Sequence, residues 1–397
     1  MYKNSFTATP ITPSFAKALL IFIPALLYPP ILFTDKISSA LRISMFVVLI
    51  FYFILATKKI SKNDGLIFLL LMLFSVSLVT VNIDRVDGLR TAGSTMLALV
   101  FAWAMSRATK ENIWYRNLVI NFYINFFKVV PIFSILSVFF LVLVGELNIF
   151  NVIAEGHDYW FTPFGAVFAK DFLGISVYRS FSFFHEPVYL ALFYAVNVFL
   201  IAPSLKGKSK YFLILNVVGG ILTFSYLFFI LSLILIFSKK MSDLSIKGYS
   251  LLLFMAVSLI FTASQIDLFS SSSLSDRWDR ANFFFTAMED SNIFQLLFGH
   301  GFALETGFDR GFSAGLFTAI YEVGIVNLIV IFIFVLRMLS KKFYILLVLC
   351  TALLVFEPTK LPLFWILVIV LTIVERFESP TVVLGKIGMH ALQTQNN

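Results

Sequence analysis

Long apolar runs separated by short polar stretches dominate the pattern of this chain. A run of about 20 apolar residues is long enough to cross a bilayer as a helix, and many runs of this kind are present. The predicted spans lie near residues 15–33, 41–57, 65–81, 90–106, 120–144, 187–203, 248–264, 314–337, 343–356 and 361–375. The pattern therefore predicts an all-α, polytopic integral membrane protein, with residues 1–397 forming a single membrane domain.

The apolar stretch 211–237 does not fit a single straight span. Gly219, Gly220, Thr223 and Ser225 interrupt it, and lysine clusters flank both of its ends. Two short helices hinged around these residues would keep both clusters on one side of the membrane, although each helix would be short for a span. A re-entrant hairpin with a protein-buried backbone would do the same. In either form the count reaches about 12 transmembrane helices.

The composition supports a membrane protein and excludes several other classes. Hydrophobic residues make up 59% of the chain and charged residues only 13%, whereas soluble domains carry about 25% charged residues. The mean hydropathy is +0.93, so too few polar side chains remain to cover a soluble surface. A single cysteine, Cys350, excludes a disulfide scaffold.

The distribution of basic residues predicts the orientation. The net charge is +8, and most Lys and Arg of the short loops fall on one side of the predicted spans. The positive-inside rule then puts both termini in the cytoplasm. Two long polar segments, 145–186 and 265–313, become large external loops, and a cysteine introduced at Ser180 or Ser272 is expected to react with an impermeant reagent. The basic clusters are short and explained by topology, so no nucleic-acid partner is expected.

The first external loop closes on polar residues in front of an apolar helix. Pro187 suits the first helical position, where its missing N–H has no partner in any case. Glu186 and His185 are thus predicted at an outward-facing helix N-terminus, where free N–H groups favour anions. Arg179 lies upstream and could fold back over this end. A Glu-Pro pair is also ordinary helix-start chemistry, and residues 357–358 form a second one.

The second external loop carries two arginines three residues apart, Arg277 and Arg280. On a helix they lie one turn apart, so both can face one ligand. Two guanidinium groups suit a pyrophosphate, because each offers a planar fork of donors. A local salt-bridge ladder with Asp276 and Asp279 is the alternative interpretation.

Three further residues of this part of the chain are candidates for a site. A Gly-His-Gly triplet is centred on His300, and its glycines would let the backbone approach a ligand closely. Arg310 follows in the same loop. Glu322 lies at the edge of a predicted span, where an ionisable side chain indicates function. Simple loop structure for His300, and packing beside Gly324 for Glu322, are the alternatives.

Aromatic residues crowd both loops. Flat rings with a polar edge suit sugar faces, but they equally suit the aromatic belt of a membrane interface. The candidates for sugar contacts are Tyr178 and Trp278, among neighbours Tyr159, Trp160, Phe161, Phe164, Phe283, Phe284 and Phe285. The four histidines are too scattered for a metal site, and neither Walker A, a dinucleotide fingerprint nor HExxH is present. No metal or cofactor is expected.

Three short motifs resemble one known family. The run RSFSFFHEP, residues 179–187, is similar to the Arg…Glu-Pro signature that closes the first large loop of Wzy-type O-antigen polymerases. DRW at 276–278 with LLFGHGFA at 296–303 is similar to the second-loop pattern, and YEVGIVNLIV at 321–330 to the helix that follows. The relatives of these polymerases include the O-antigen ligases, which usually present a histidine where residues 312–314 here are Phe-Ser-Ala.

The resemblance implies a multispanning, GT-C-like glycosyltransferase of the bacterial inner membrane that acts in lipopolysaccharide biosynthesis. Its substrates would be undecaprenyl-pyrophosphate-linked oligosaccharides, as donor and acceptor, and polymerisation would be metal-independent and periplasmic. The arginines Arg179, Arg277, Arg280 and Arg310 would hold the pyrophosphate, and Glu186, or His300 after it, would be the base. Expected partners are membrane lipids, a Wzz-type chain-length regulator and a flippase.

Other functions remain open at this stage. The chain could be an O-antigen ligase that transfers glycan to the lipid A core. A lipid-linked sugar flippase or transporter would also span the membrane many times, but it should place charges within its spans and show inverted repeats. A non-catalytic membrane subunit of a polysaccharide assembly complex would share the topology and tolerate loss of Glu186 and the arginines.

Overall fold

The structure, a computed structural model, describes residues 62–84, 86–145, 150–154, 157–172, 175–182, 184, 187–202, 205, 209–240, 282–301, 315–338 and 362–376, with scattered positions between 44 and 54. This part of the chain is mostly helical. Its helices are α1 (Lys62–Asn82), α2 (Val86–Glu111), α3 (Ile113–Val144), α4 (Pro187–Val196), α5 (Ser209–Leu222), α6 (Tyr226–Lys240), α7 (Ile293–Phe298), α8 (Gly315–Met338) and α9 (Pro362–Arg376). A π-helical turn, Asn197–Ile201, continues α4, and residues 282–289 are also helical.

Three of these helices are long and apolar enough to cross a membrane. The qualifying segments are Asp64–Asn82 in α1, Ile113–Val144 in α3 and Phe317–Leu336 in α8. The helices predicted at 65–81, 120–144, 187–203, 314–337 and 361–375 are confirmed as helices, and α4 begins at Pro187 as predicted. The spans predicted at 15–33, 248–264 and 343–356 lie outside the described residues.

The prediction of an all-α fold is incomplete, because the first large loop contains a β-sheet. Four strands form an antiparallel meander in chain order: β1 (Phe150–Ala154), β2 (His157–Thr162), β3 (Gly165–Phe172) and β4 (Ile175–Ser182). The strands are rich in aromatic and β-branched residues, and Gly156, Pro163 and Gly174 stand between consecutive strands in the sequence, which is the signal of a meander. This signal is shorter than the membrane-length apolar runs on either side of it.

The sheet packs on the C-terminal half of α3 through one of its faces. Trp160 of β2 and Val167 of β3 are buried with Leu141 of α3. On the same side, the hydroxyl oxygen of Ser180 in β4 lies 3.3 Å from that of Ser137 in α3, and both residues are fully buried. The expectation that an impermeant reagent reaches position 180 is therefore wrong: strand alternation turns this side chain against α3.

An ion pair joins the first two helices at one end. The guanidinium of Arg107 in α2 lies 2.9 Å from the carboxylate of Asp64 in α1 and 3.2 Å from that of Glu111. The start of α1 and the end of α2 are therefore adjacent, so the helices run antiparallel. Both neighbouring lysines, Lys62 and Lys110, belong to this end of the helix pair.

A buried amide network connects α3, the π-helical turn and α5. Pro131 lies inside α3, and because proline has no N–H the carbonyl of Phe127 loses its usual donor four residues on. The side chain of Asn216 in α5 donates to this carbonyl at 3.2 Å. Asn216 also accepts from Asn197 at 2.8 Å, and Asn197 accepts from Tyr123 at 2.7 Å. The network thereby supplies the hydrogen bond that Pro131 removes.

The stretch 211–237 is two helices, as the interrupted pattern predicts. The first, α5, ends at Leu222, and the second, α6, begins at Tyr226; both pack on α4 and on the π-helical turn. Gly219 and Gly220 allow this, because a Cβ on the first would overlap the ring of Tyr194 and one on the second the ring of Phe228. The two helices thus form a hairpin whose bend, residues 223–225, lies beside β4.

Candidate functional site

Arg179 is the predicted ligand residue whose surroundings the structure describes most fully. It lies on β4, it is 9% exposed, and its Nε donates to the carbonyl of Thr223 at 2.8 Å. Its guanidinium carbon also stands 5.2 Å from the ring centre of Phe168 in β3. Arg179 therefore connects the sheet to the bend between α5 and α6. At least one of its N–H donors has a structural role.

Tyr178 precedes Arg179 and points to the other face of the sheet. Its ring contacts that of Trp160 edge-on, with 6.1 Å between ring centres, and it packs against the cluster that joins the sheet to α3. Neighbouring residues of a strand alternate between faces, so Tyr178 and Arg179 do not converge. The structure gives Tyr178 a packing role in the described part of the chain.

A break in helix α8 forms the second candidate site. Gly324 has φ 79° and ψ 165°, a conformation outside the helical region. The three carbonyls before it have partners from other groups: Tyr321 accepts from the backbone N–H of His300 at 2.7 Å, and Glu322 from that of Gly301 at 3.0 Å. The carbonyl of Val323 accepts from the side chain of Asn327 at 2.7 Å.

Backbone fits against backbone at this break, and only glycine permits it. Gly299 has φ 88°, and a Cβ there would overlap the carbonyl of Glu322. A Cβ on Gly324 would in turn overlap the backbone of Gly299 and Leu297. Residues with Cβ atoms rarely adopt positive φ, and this close approach excludes a side chain on either glycine. The Gly-His-Gly triplet and the break in α8 therefore form one structural unit, which we term the kink site, comprising residues 299–301 and 321–324.

The imidazole of His300 is held from three sides in the kink site. Its ring stacks on that of Tyr321, with 4.0 Å between ring centres and 5° between planes. Its Nε2 lies 2.9 Å from Oγ of Ser291, and its Nδ1 lies 3.3 Å from the carbonyl oxygen of Tyr321. The carbonyl only accepts, so a hydrogen bond at this contact requires the tautomer that has a proton on Nδ1.

The other ring nitrogen of His300, Nε2, is the one that can exchange a proton. With Nδ1 protonated, a neutral His300 presents the Nε2 lone pair and accepts from the hydroxyl of Ser291. In the charged ring Nε2 donates to that hydroxyl, which then donates to the carbonyl of Ala287 at 2.8 Å. The single proton of the Ser291 hydroxyl serves Nε2 in the neutral state and the carbonyl of Ala287 in the charged state, so this hydroxyl must rotate when Nε2 receives or releases a proton.

Glu322 and Asn82 complete the surroundings of the kink site. Glu322 is half-buried and joins the site through its carbonyl. Asn82, the last residue of α1, is fully buried, and its side-chain oxygen lies next to the Cα of Gly301, where a Cβ would come within 2.8 Å of it. The side chain of Asn327 donates to Ser77 of α1 at 2.8 Å. The kink site is therefore seated on the C-terminal end of α1.

The structure brings together some predicted site residues and not others. His300 and Glu322 share the kink site, whereas Arg179 and Tyr178 belong to the sheet. The predicted residues Glu186, His185, Arg277, Trp278, Arg280 and Arg310 lie outside the described residues. Within the described part of the chain, no group of three His, Cys, Asp or Glu side chains is placed to hold a metal ion.

Sequence analysis missed the residues that hold His300. Ser291 and Tyr321 carry no motif that marks them, because their roles depend on a loop folding back onto a helix. The amides in the apolar helices, Asn197, Asn216 and Asn327, were detectable, since amide side chains inside membrane-length apolar runs are costly unless partnered.

Comparison with known proteins adds no relative: no protein-family model, no curated protein and no solved structure matches this chain. The functional interpretation therefore depends on the chain's own residues and their geometry.

Proposed function

We propose that this chain is a membrane glycosyltransferase that polymerises oligosaccharide repeat units carried on undecaprenyl pyrophosphate, on the external side of the bacterial inner membrane. The observation that carries the proposal is the kink site. The described parts of two of the three motif segments that resemble the polymerases, 296–301 and 321–330, pack into one unit in which a histidine is held in a defined orientation.

The proposed reaction exchanges one bond for another at the anomeric carbon of the donor sugar. A hydroxyl oxygen of the acceptor repeat unit bonds to that carbon, while the bond from the carbon to the pyrophosphate oxygen breaks. The lipid pyrophosphate leaves with the bonding electron pair, and the hydroxyl proton passes to Glu186 or to Nε2 of His300. Positive charge fixed beforehand at Arg277, Arg280 and Arg310 would stabilise the leaving group.

The contacts of Arg179 change its part in the proposal. Its Nε is engaged with the carbonyl of Thr223, so we assign it to holding the sheet against the helices. Glu186 keeps its proposed role as the base: it directly precedes α4, where the positive end of the helix dipole keeps a carboxylate ionised and able to accept a proton, while making it a weaker base. The pyrophosphate contacts are then assigned to the second loop.

A transporter of lipid-linked sugars is the second candidate, because broken helices often form the binding sites of transporters. In such proteins the freed carbonyls coordinate the transported ion. Here the carbonyls of Tyr321, Glu322 and Val323 already accept hydrogen bonds from protein donors. That engagement favours the enzyme over an ion-coupled transporter, and it does not separate a polymerase from a ligase.

The decisive experiment is a polymerisation assay in proteoliposomes with purified lipid-linked repeat units. The wild-type chain should convert the units into a ladder of longer glycans, whereas a ligase would require a lipid A core acceptor and a flippase would only move the units. Glu186→Gln should leave the units unpolymerised, and Glu357→Gln, the second Glu-Pro carboxylate, should leave the ladder unchanged. His300→Gln should reduce polymer yield, while His157→Gln in β2 should not.

Three outcomes would overturn the proposal or its assignment of residues. Transfer of glycan only to a lipid A core would identify a ligase. A full ladder from the Glu186→Gln, His300→Gln double variant would show that these residues do no chemistry, and movement of units without polymer would favour a flippase.

The proposed orientation, with both termini cytoplasmic, has its own test. Pro163 is exposed in the turn between β2 and β3, and Lys110 is exposed near the end of α2. In intact cells, an impermeant thiol reagent should label a cysteine in place of Pro163 and not one in place of Lys110. Reversed labelling would contradict the orientation while leaving the kink site untouched.

A further inference from the structure

The segment 282–298 combines two helical pieces with an unusual exposure of large apolar side chains. Residues 282–289 are helical, and α7 follows with a reciprocal cap in which Asn292 and Gln295 bond each other's backbone. In α7, Ile293 is 76% exposed, Phe294 52% and Leu297 38%. Leu297 follows Phe294 by three residues and Ile293 by four, so its side chain lies between theirs on one side of α7.

The segment is fixed at the ends of two membrane-length helices. Phe284 is buried and stacks on Phe317, with 4.6 Å between ring centres and 13° between planes. Phe317 is the first residue of the apolar part of α8. At its other end the segment leads into Gly301, which fits against Asn82, the last residue of α1. The segment thus lies at the level where two candidate spans begin and end.

Three polar residues of the segment are exposed too, at the bend between its two pieces. Glu289, Asp290 and Asn292 are all exposed. A segment with apolar residues on one side, charges elsewhere and a position at the ends of spanning helices matches the lipid–water interface. In water, the exposed side of α7 would be an uncovered apolar patch of the kind soluble surfaces avoid.

We infer that residues 282–298 are seated in the interface of the bilayer, with Ile293, Phe294 and Leu297 among the upper acyl-chain segments and Glu289 and Asp290 in the headgroup region. The occupant of the apolar side is lipid, because apolar side chains of α8 within its candidate membrane span, such as Ile325 and Ile329, are exposed to 44% and 52% in the same way. This anchoring would hold the kink site at the membrane surface, and it does not depend on the proposed function.

Site-directed spin labels test the inference in the full-length chain. Cys350→Ser supplies a cysteine-free background, and single cysteines replace Phe294, Asp290 or Ile329 in proteoliposomes of phosphatidylethanolamine and phosphatidylglycerol. Accessibility to oxygen, which enriches in lipid, is compared with accessibility to nickel-EDDA, which stays in water. The oxygen-to-nickel ratio at position 294 should be several-fold higher than at position 290, and lower than at position 329.

Each alternative occupant gives a different result. High nickel accessibility at position 294, equal to that at 290, would mean that water covers α7 and would overturn the inference. Low accessibility to both reagents would mean that protein covers it, from a second copy or another chain, and would overturn it equally. A water-accessible label at position 329 would remove α8 from the membrane and the inference with it. All labelled positions are exposed, so wild-type melting temperatures should be retained.

Discussion

Two regions of this protein face the same problem, a break in helical structure that leaves backbone carbonyls without their regular donors, and they solve it differently. At the bend between α5 and α6, the carbonyl of Thr223 accepts from the side chain of Arg179. At the kink site, the carbonyls of Tyr321 and Glu322 accept from the backbone N–H groups of His300 and Gly301.

The difference is whether a side chain or the backbone supplies the missing donor. At the bend, the side chain of Arg179 supplies the missing donor itself, and this side chain is buried. A loop that supplies it through its backbone leaves its side chain for other partners, and the imidazole of His300 reaches the hydroxyl of Ser291. The bend is therefore structural, and the kink site combines a structural backbone with a titratable side chain.

The largest expected effect tests the backbone fit. Gly324→Ala should lower the free energy of unfolding by about 3 kcal/mol or more, because a Cβ adds both strain at positive φ and overlap with neighbouring backbone. Thermal or denaturant unfolding in detergent measures the change. Gly93→Ala is the matched control: Gly93 lies in α2 with no atom within 4 Å of the added Cβ, so this variant should gain about 0.5–1 kcal/mol. Equal stability of the two variants would contradict the close backbone packing at Gly324.

The next effect concerns the side-chain solution at the bend. Arg179→Met should lower the free energy of unfolding by about 2–3 kcal/mol, because a buried carbonyl loses a charged donor. The free energy of unfolding of Arg179→Lys should lie between those of wild type and Arg179→Met, since an ammonium group cannot reproduce the planar fork of a guanidinium. Lys210→Met, at an exposed position of α5, should change stability by less than about 0.5 kcal/mol. If Arg179→Met kept wild-type stability but lost polymerisation, the structural role would be wrong and Arg179 would be assigned to substrate binding.

A third prediction uses the other break, at Pro131. Asn216→Leu should cost about 2 kcal/mol, because the carbonyl of Phe127 loses the donor that replaces the missing N–H of proline. Pro131→Ala restores that N–H, so in the double variant the cost of Asn216→Leu should fall by about 1 kcal/mol. A double-mutant cycle of unfolding free energies measures the coupling, and strictly additive values would disprove it.

The smallest effect is expected at the histidine itself. Ser291→Ala removes hydrogen bonds to His300 and to the carbonyl of Ala287 and should cost only about 1 kcal/mol. Thr286→Ala is the control, because Thr286 is exposed and its hydroxyl donates to the carbonyl of Asn282 one helical turn earlier. This variant should change the free energy of unfolding by less than about 0.5 kcal/mol. If Ser291→Ala lost more unfolding free energy than Gly324→Ala, the side chains of the kink site would stabilise the fold more than its backbone fit does, and this would contradict the comparison.

Much of the fold was predictable because its signals are local. Apolar length located the helices, Pro187 marked a helix start, and the interruptions at Gly219 and Ser225 indicated two helices where one long run stood. The sheet between α3 and α4 was less accessible, since short aromatic strands beside membrane-length runs carry a weaker pattern than the helices around them.

The amino-acid sequence by itself determined a hydrophobic, mostly helical chain and the residue types capable of chemistry, because hydropathy and side-chain type need no partners. Only the tertiary structure decided which of those residues are engaged in holding the fold. Arg179 and His300 are equally plausible ligand residues in sequence, yet Arg179 donates to the carbonyl at a bend, whereas the imidazole of His300 lies beside the hydroxyl of Ser291 in the kink site. The choice depends on contacts between residues 44 apart for Arg179 and 21 apart for His300, and such contacts arise only when distant segments pack.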